Sequence, residues 1–296
     1  MSEAPSETVP TEPSFARELW RRIETLHAVT YFDPGVVAAS EALGLAGFWR
    51  GYFGFRAAPL GAVTAGVVEA TFFNFEPAFV AKRIPEIWAT AHPKDLLDAR
   101  STSAVDALCR LAPGIDDVAP QVIPTLAAAV ERAPRAGRAL FAANAALRIP
   151  TDDPVAALWQ LCTNLREHRG DGHVAALTAA GIDGVSAHVL IAADLGLDPL
   201  DLQQTRGWST ERWADATDRL TSQGLITAAG DELTNDGRRL RVDVEATTDR
   251  LAEEPFASLD DTARERLLAD LEAPARSVSE SGTIRYPNPM GLPPLT

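Results

Sequence analysis

Lysine is nearly missing from this chain. Only Lys82 and Lys94 stand among the 27 basic positions, so arginine carries almost all the positive charge. Together with the abundance of alanine, this reads as the codon bias of a GC-rich genome. Cysteine is as scarce: Cys109 and Cys162 lie far apart, each within an apolar helical pattern. No CxxC metal or redox motif is present, and the two thiols read as reduced core residues. No run approaches the roughly 20 apolar residues of a membrane helix. The GxGxxG, GxxxxGK, GxSxG and HExxH patterns are absent too, so nucleotide-binding, hydrolase and zinc-protease templates have no support. Positive charge is in deficit overall. The formal net charge of −14 argues against a protein that coats nucleic acid or an anionic membrane non-specifically.

What the chain has is helical periodicity. Hydrophobic residues make up 46% and charged residues 23%, as in ordinary globular proteins. Residues 1–14 are polar and rich in Pro, Glu and Ser. They read as a disordered leader without the apolar core of a secretory signal, which points to a cytoplasmic protein. In SFARELWRRIETLHAVTYF, Ala16, Trp20, Ile23 and His27 share one helix face. Asp33-Pro34 ends that helix and opens the next. Residues 62–73, 77–91, 94–111, 117–132 and 136–147 each carry helix-like spacing between Pro or Gly breaks. This predicts an all-helical domain over 15–150.

In TDDPVAALWQLCTNLREHRGDGHVAALTAAG, Asp152 or Asp153 caps a helix and Pro154 suits its first turn. Gly170 reads as a left-handed stop, and Asp171 as the cap of a second helix from Gly172. Further helices follow through VSAHVLIAAD, DPLDLQQTRG and STERWADATDRLTSQGLI, the last starting at a Ser209 cap. ITAAGDELT then reads as a turn between two short extended stretches. Helix, helix, helix, small β-hairpin, helix is the order of a winged helix-turn-helix. The expected architecture is therefore mostly α. It comprises a helical N-terminal domain, a helical linker region and winged-helix domain over 151–272, and an extended tail over 273–296. The tail is proline-rich, yet Ile284, Tyr286, Met290 and Leu292 are too apolar to be left in solvent.

The runs HAVTYF, ALGLAGFWRGYFGFRAAPLG, GRALFAAN, LREHRGDGH, RGWS, LTNDGRRLRVDVEATTDRL and YPNPMGL carry a resemblance over nearly the whole chain. It resembles an actinobacterial helix-turn-helix family with a MarR-like winged helix. The resemblance implies a fold and a regulatory role, and carries over no catalytic residue.

LREHRGDGH, residues 165–173, concentrates two of five histidines beside Arg166, Glu167, Arg169 and Asp171. Three readings stay open. It is a helix stop and cap; or a pocket for an organic ligand, with Arg166, Arg169, Asp171 and free amides at a helix start; or a metal site using His168 and His173. His27, followed by Thr30, Tyr31 and Phe32, reads as a bonded core histidine unless it meets His168 in space. FWRGYFGFRAAPLG adds Trp49, Tyr52 and Arg56, the mixture of aromatics and polar anchors that lines ligand pockets. FFNFEPAF adds Asn74 and Glu76. No cofactor is indicated.

Between Asp194 and Arg250, twelve acidic residues face seven arginines, a balance of −5. The recognition helix carries Arg212 and Arg219 but also Glu211, Asp215 and Asp218, and the wing has no basic residue. Arg206, Arg238 and Arg239 complete the candidate DNA contacts, which a homodimer would double. Phosphate contacts supply most non-specific affinity, so DNA binding is expected to be weak. The reading is a winged-helix protein that binds a small molecule and acts in regulation. The alternative is an enzyme on the same scaffold, with its site at His27, His168, Arg169 and His173.

Overall fold

Helices begin at side-chain caps. A computed structural model describes residues 13–295. Residues 1–12 of the expected leader lie outside the described residues, but Ser14 belongs to the fold: its hydroxyl accepts the Arg17 amide at 3.1 Å and starts α1 (Phe15–Phe32). Asp33 caps α2 (Pro34–Ala42) with Pro34 in the first turn. α3 (Phe48–Ala57) and α4 (Ala65–Phe72) follow. The helix expected over 77–91 is split at Pro85 into α5 (Pro77–Ala81) and α6 (Glu86–Thr90). α7 (Pro93–Leu111), α8 (Ile115–Arg132) and α9 (Ala139–Ala145) complete the first part.

Asp153 then caps α10 (Pro154–Ala179), and this 26-residue helix runs straight through Gly170. The expected stop does not exist. Gly170 lacks positive φ, and the left-handed residue that ends the helix is Gly181, at φ 72°. Gly172 serves close approach. A Cβ there would sit 2.7 Å from Arg138 Nη1, which donates to the His168 carbonyl. No helix starts at 171–172, so no free amides face a ligand there.

After α10 come α11 (Gly184–Leu195), α12 (Pro199–Arg206) and α13 (Thr210–Ser222). Asp183, Asp198 and Ser209 cap them in turn. Where a hairpin was expected, the described residues hold no strand. A single antiparallel bridge joins Ile226 and Leu233, with Thr227 N–H donating to Glu232 at 2.9 Å and Gly230 left-handed. The ladder stops at this one bridge because α14 (Asn235–Glu253) begins at its Thr234 cap, directly after Leu233. α15 (Asp261–Glu280) closes the helical series.

Three apolar clusters result. The largest joins α1, α7, α8, α10 and α15 around Trp159, Leu26 and Phe141. The second packs Val36, Phe53, Phe72 and Phe75 from α2–α4 and the turn after them. The third joins the end of α10 to α11–α14 through Leu177, Val189, Trp213 and Leu220. Cys162 is buried as expected, whereas Cys109 is exposed, its side of α7 facing away from the core.

α11–α14, where the sequence predicts the helix-turn-helix unit, dock on residues 73–79. A Cβ on Gly184 would lie 2.3 Å from the Phe73 carbonyl oxygen, and one on Gly207 would lie 2.4 Å from Phe79. Between them the Glu76 amide donates to the Arg206 carbonyl at 3.0 Å.

After α15 the chain runs back without helix. Ile284, Leu292 and Leu295 are buried, and the 3%-exposed Asn288 bonds to Arg285, Met290 and Leu292. Each such apolar side chain contributes roughly 1.5–3 kcal/mol when removed from water. Deleting residues 283–296 is therefore predicted to lower the melting temperature by at least several degrees. An unchanged melting curve would show that the tail contributes nothing.

Candidate functional site

Polar groups inside the molecule follow α10. Arg166 pairs with Glu24 of α1 at 3.2 Å and with neighbouring Glu167 at 2.8 Å. Glu167, 2% exposed, also receives Arg56 of α3 at 3.2 Å. Burial would raise the Glu167 pKa, yet the flanking Arg166 and Arg56 overcome it and hold it at about 2. Arg56 in turn donates to the Tyr52 hydroxyl at 3.0 Å and lies 4.2 Å from the Phe72 ring centroid.

One turn further along α10, Arg169 pairs with Glu245 and Asp249 of α14, both at 3.1 Å. Arg17 reaches the same two carboxylates at 2.5 and 3.0 Å. The Arg169 guanidinium sits 4.4 Å from the Trp20 ring, whose N–H donates to Glu24. Arg241 pairs with Asp194 at 2.7 Å.

These groups surround a cavity of about 290 Å³ between the helical body and the helix-turn-helix unit. Of the sequence candidates, Tyr52, Arg56, Arg166, Arg169 and His173 line it. Phe72, Asn74 and Phe75 add a wall from the body; His188, Arg206 and Val244 add one from the other side.

The remaining candidates sit elsewhere. His27 is 2% exposed and fully bonded. Thr163 donates its hydroxyl to the Trp159 carbonyl, so it accepts from His27 Nδ1–H at 2.9 Å. Nε2 is then the acceptor for Tyr31, at 3.0 Å. Burial, reinforced by nearby Arg166, keeps this imidazole neutral, well below its ordinary pKa.

His168 turns its ring edge-on to Phe141, 4.9 Å away. His173 donates Nδ1–H to Thr248 at 3.0 Å, because the Thr248 hydroxyl is spent on the Val244 carbonyl. Five residues apart on a continuous helix, the two histidines point about 140° apart. They share no metal site, and the described residues hold no cluster of His, Cys, Asp or Glu suited to one. The four residues of the enzymatic alternative do not meet.

Asp171 caps a different helix from the one expected. Its carboxylate accepts the Phe141 amide at 2.9 Å, in the first turn of α9, where Arg138 gives no side-chain cap. Sequence gave no hint of this pairing across 30 residues. His188 was also passed over, as a lone histidine in an alanine-rich helix. Its signal was Trp208, whose indole N–H donates to His188 Nδ1 at 3.1 Å.

Among the DNA candidates, Arg212, Arg238 and Arg239 are exposed. Arg219 is tied to Asp183 at 2.9 Å, and Arg239 pairs with Asp236. Arg206 is turned inward. Its guanidinium lies 5.1 Å from the Phe75 ring and 5.7 Å from Trp49. The preference of a guanidinium for aromatic faces explains that orientation.

Two predictions follow from the buried groups. Replacing Glu167 with Gln leaves Arg56 and Arg166 without their shared buried charge, and is expected to cost roughly 3–5 kcal/mol in denaturant unfolding. Burial holds His168 at about 3 and His173 at about 4, against an ordinary value of 6.5. Stability from these depressed imidazoles is complete above pH 6.5 and is lost as pH falls toward 4. Asp171 opposes them. Burial raises it to about 6 from 3.8, so its contribution is complete below 3.8 and is lost as pH rises toward 6. Melting curves from pH 8 to 4 should therefore fall with acid, less steeply in His168→Gln and more steeply in Asp171→Asn. Equal slopes in all three proteins would refute the assignment.

No curated protein and no solved structure matches the chain. The sequence model of the helix-turn-helix family does match, over residues 16–285, which takes in the body, the cavity and α11–α14 alike. The chain belongs to the helix-turn-helix family.

Proposed function

We propose that this protein is a ligand-responsive, DNA-binding regulator whose effector site is the cavity between the helical body and the helix-turn-helix unit. One observation carries the reading: both parts build the same cavity. Tyr52, Arg56, Phe75 and Arg166 come from one side, and His188, Arg206 and Val244 from the other. A molecule held there touches both, and its binding energy biases their relative placement. Arg206 ends α12, four residues before α13, so a pull on its guanidinium reaches the DNA-facing helix through one short turn.

A MarR-like winged helix is the finer reading. The order α11, α12, α13, bridged turn and α14 supports it, with the turn as a very short wing. On this reading α13 enters the major groove with Arg212, while Arg238 and Arg239 at the start of α14 reach phosphates. The exposed face of α13 also carries Glu211, Asp215 and Asp218, and the turn carries Asp231 and Glu232. Phosphate attraction is correspondingly small, and a homodimer on two half-sites supplies the missing contacts.

The test is selection from a random duplex library at about 50 mM salt, a condition that leaves phosphate attraction largely unscreened. We expect a two-fold symmetric sequence to be enriched, and Arg212→Ala to abolish the enrichment. Asp215→Asn with Asp218→Asn should raise affinity for non-specific duplex by about tenfold. A library from which no sequence is enriched would overturn the DNA-binding reading.

A further inference from the structure

The cavity holds one positive charge that the protein leaves uncancelled. Six arginines line it. Arg17, Arg56, Arg166, Arg169 and Arg241 are matched one for one by the five carboxylates described above. Arg206 is the sixth. Among the described residues it has no ion pair, and its one side-chain hydrogen bond is a 3.3 Å contact to the carbonyl of its own neighbour Thr205. A guanidinium in a protein stays protonated, so this charge waits for an anion.

A second, independent observation lies beside it. His188 is 2% exposed and lines the same cavity. An indole N–H can only donate, so the bond from Trp208 fixes His188 Nδ1 as an acceptor and places the ring proton on Nε2. That Nε2–H is buried and has no partner. A buried donor without an acceptor costs free energy unless something fills its place. Arg206 lies near enough to His188 to depress its pKa further below the level that burial sets. Asn74, which also lines the cavity, likewise has its buried Oδ1 without a partner.

We propose, building on the effector reading above, that the cavity binds a small organic monocarboxylate, held by the Arg206 guanidinium and the His188 Nε2–H. Two donors on one wall of the cavity, near enough for the charge of one to act on the other, suit the two oxygens of one carboxylate. A single uncancelled guanidinium suits a monoanion, whereas a phosphate ester brings nearly two charges at neutral pH. The rest of the lining argues for an apolar body on the ligand. Phe75, Phe72, Leu177, Ile182 and Val244 surround the polar end. A volume of about 290 Å³ admits a metabolite, and excludes a peptide or a nucleotide chain.

The experiment is calorimetric titration of the full-length protein, without DNA, with benzoate, phenylacetate and octanoate, each beside its primary amide. At least one carboxylate should bind tighter than its amide by about tenfold or more. Arg206→Gln should erase that difference. Because Arg206 also rests on Phe75 and Trp49, Arg206→Met is the companion variant that keeps the stacking and loses the charge. Amides that bind as well as the acids would overturn the proposal, as would either Arg206 variant keeping the preference. So would the absence of measurable binding by all three carboxylates up to about 10 mM. Because the titration contains no DNA, a protein that takes the carboxylate but enriches no duplex would fail only the regulatory reading.

Discussion

Glu167 sits almost out of solvent between two arginines, and the arrangement of the body follows from that burial. A lone carboxylate cannot remain ionised there; with Arg166 on its own helix and Arg56 from α3, it can. The consequence is geometric. Arg56 must reach α10, so the aromatic cluster behind α3 is held against the central helix at one register. Tyr52 and Phe72 follow because each touches Arg56. Arg166 in turn binds Glu24, which receives the Trp20 indole, and Trp20 lies under Arg169. A chain of charges and rings thus ties α1, α3, α10 and α14 together. Each link is directional, which apolar packing by itself is not.

The sequence made parts of this legible. Caps were the most readable feature, because an Asp or Ser before an apolar periodic run has one common physical use: Asp153 and Ser209 both serve it, whereas Ser14 was hidden by the polar stretch before it. The helical character of the chain and the order of α11–α14 were readable for the same reason. LREHRGDGH was misread, because glycine has two meanings that local sequence cannot separate. At a stop it supplies positive φ; inside a helix it lets another chain come close. Gly172 is the second kind, and the Arg138 side chain that occupies the space is 34 residues away. Once the helix is continuous, periodicity puts His168 and His173 on different faces, and the metal reading ends.

The candidate site was half legible. Arg56, Arg166, Arg169 and Tyr52 were recognisable as a polar and aromatic set, since arginines in apolar surroundings require partners. Their convergence depended on the placement of α3 against α10, a tertiary fact. The side of the cavity formed by His188 and Arg206 was hidden. In a chain read as a helix-turn-helix, an arginine at the end of the second helix looks like a phosphate contact. Only Phe75 and Trp49, well over a hundred residues earlier, reveal that this guanidinium has an aromatic face to rest on.

Placing arginines inside has a consequence for the outside. A chain with 27 basic residues against 41 acidic ones has few cations to distribute, and six of them line one cavity. Five are balanced there by carboxylates, so neither partner of those pairs contributes much field at the surface. The face of α13 is left with two arginines, one of them tied to Asp183. Long-range attraction to a polyanion scales with the cations that can displace counterions, so a protein built this way cannot rely on the phosphate backbone for affinity. On the regulatory reading proposed above, recognition would have to come from base edges and groove shape, which demand a fixed geometry of α13. Such binding is more sensitive to small rotations of the helix-turn-helix unit than backbone-dominated binding is. The contacts that set this rotation include the Arg169 and Arg17 pairs to α14, the Phe73 carbonyl against Gly184, Phe79 against Gly207, the Glu76–Arg206 backbone bond, and whatever occupies the cavity lined by Arg206 and His188. The last is the one that chemistry outside the chain can change, and it adjoins the helix that leads into α13.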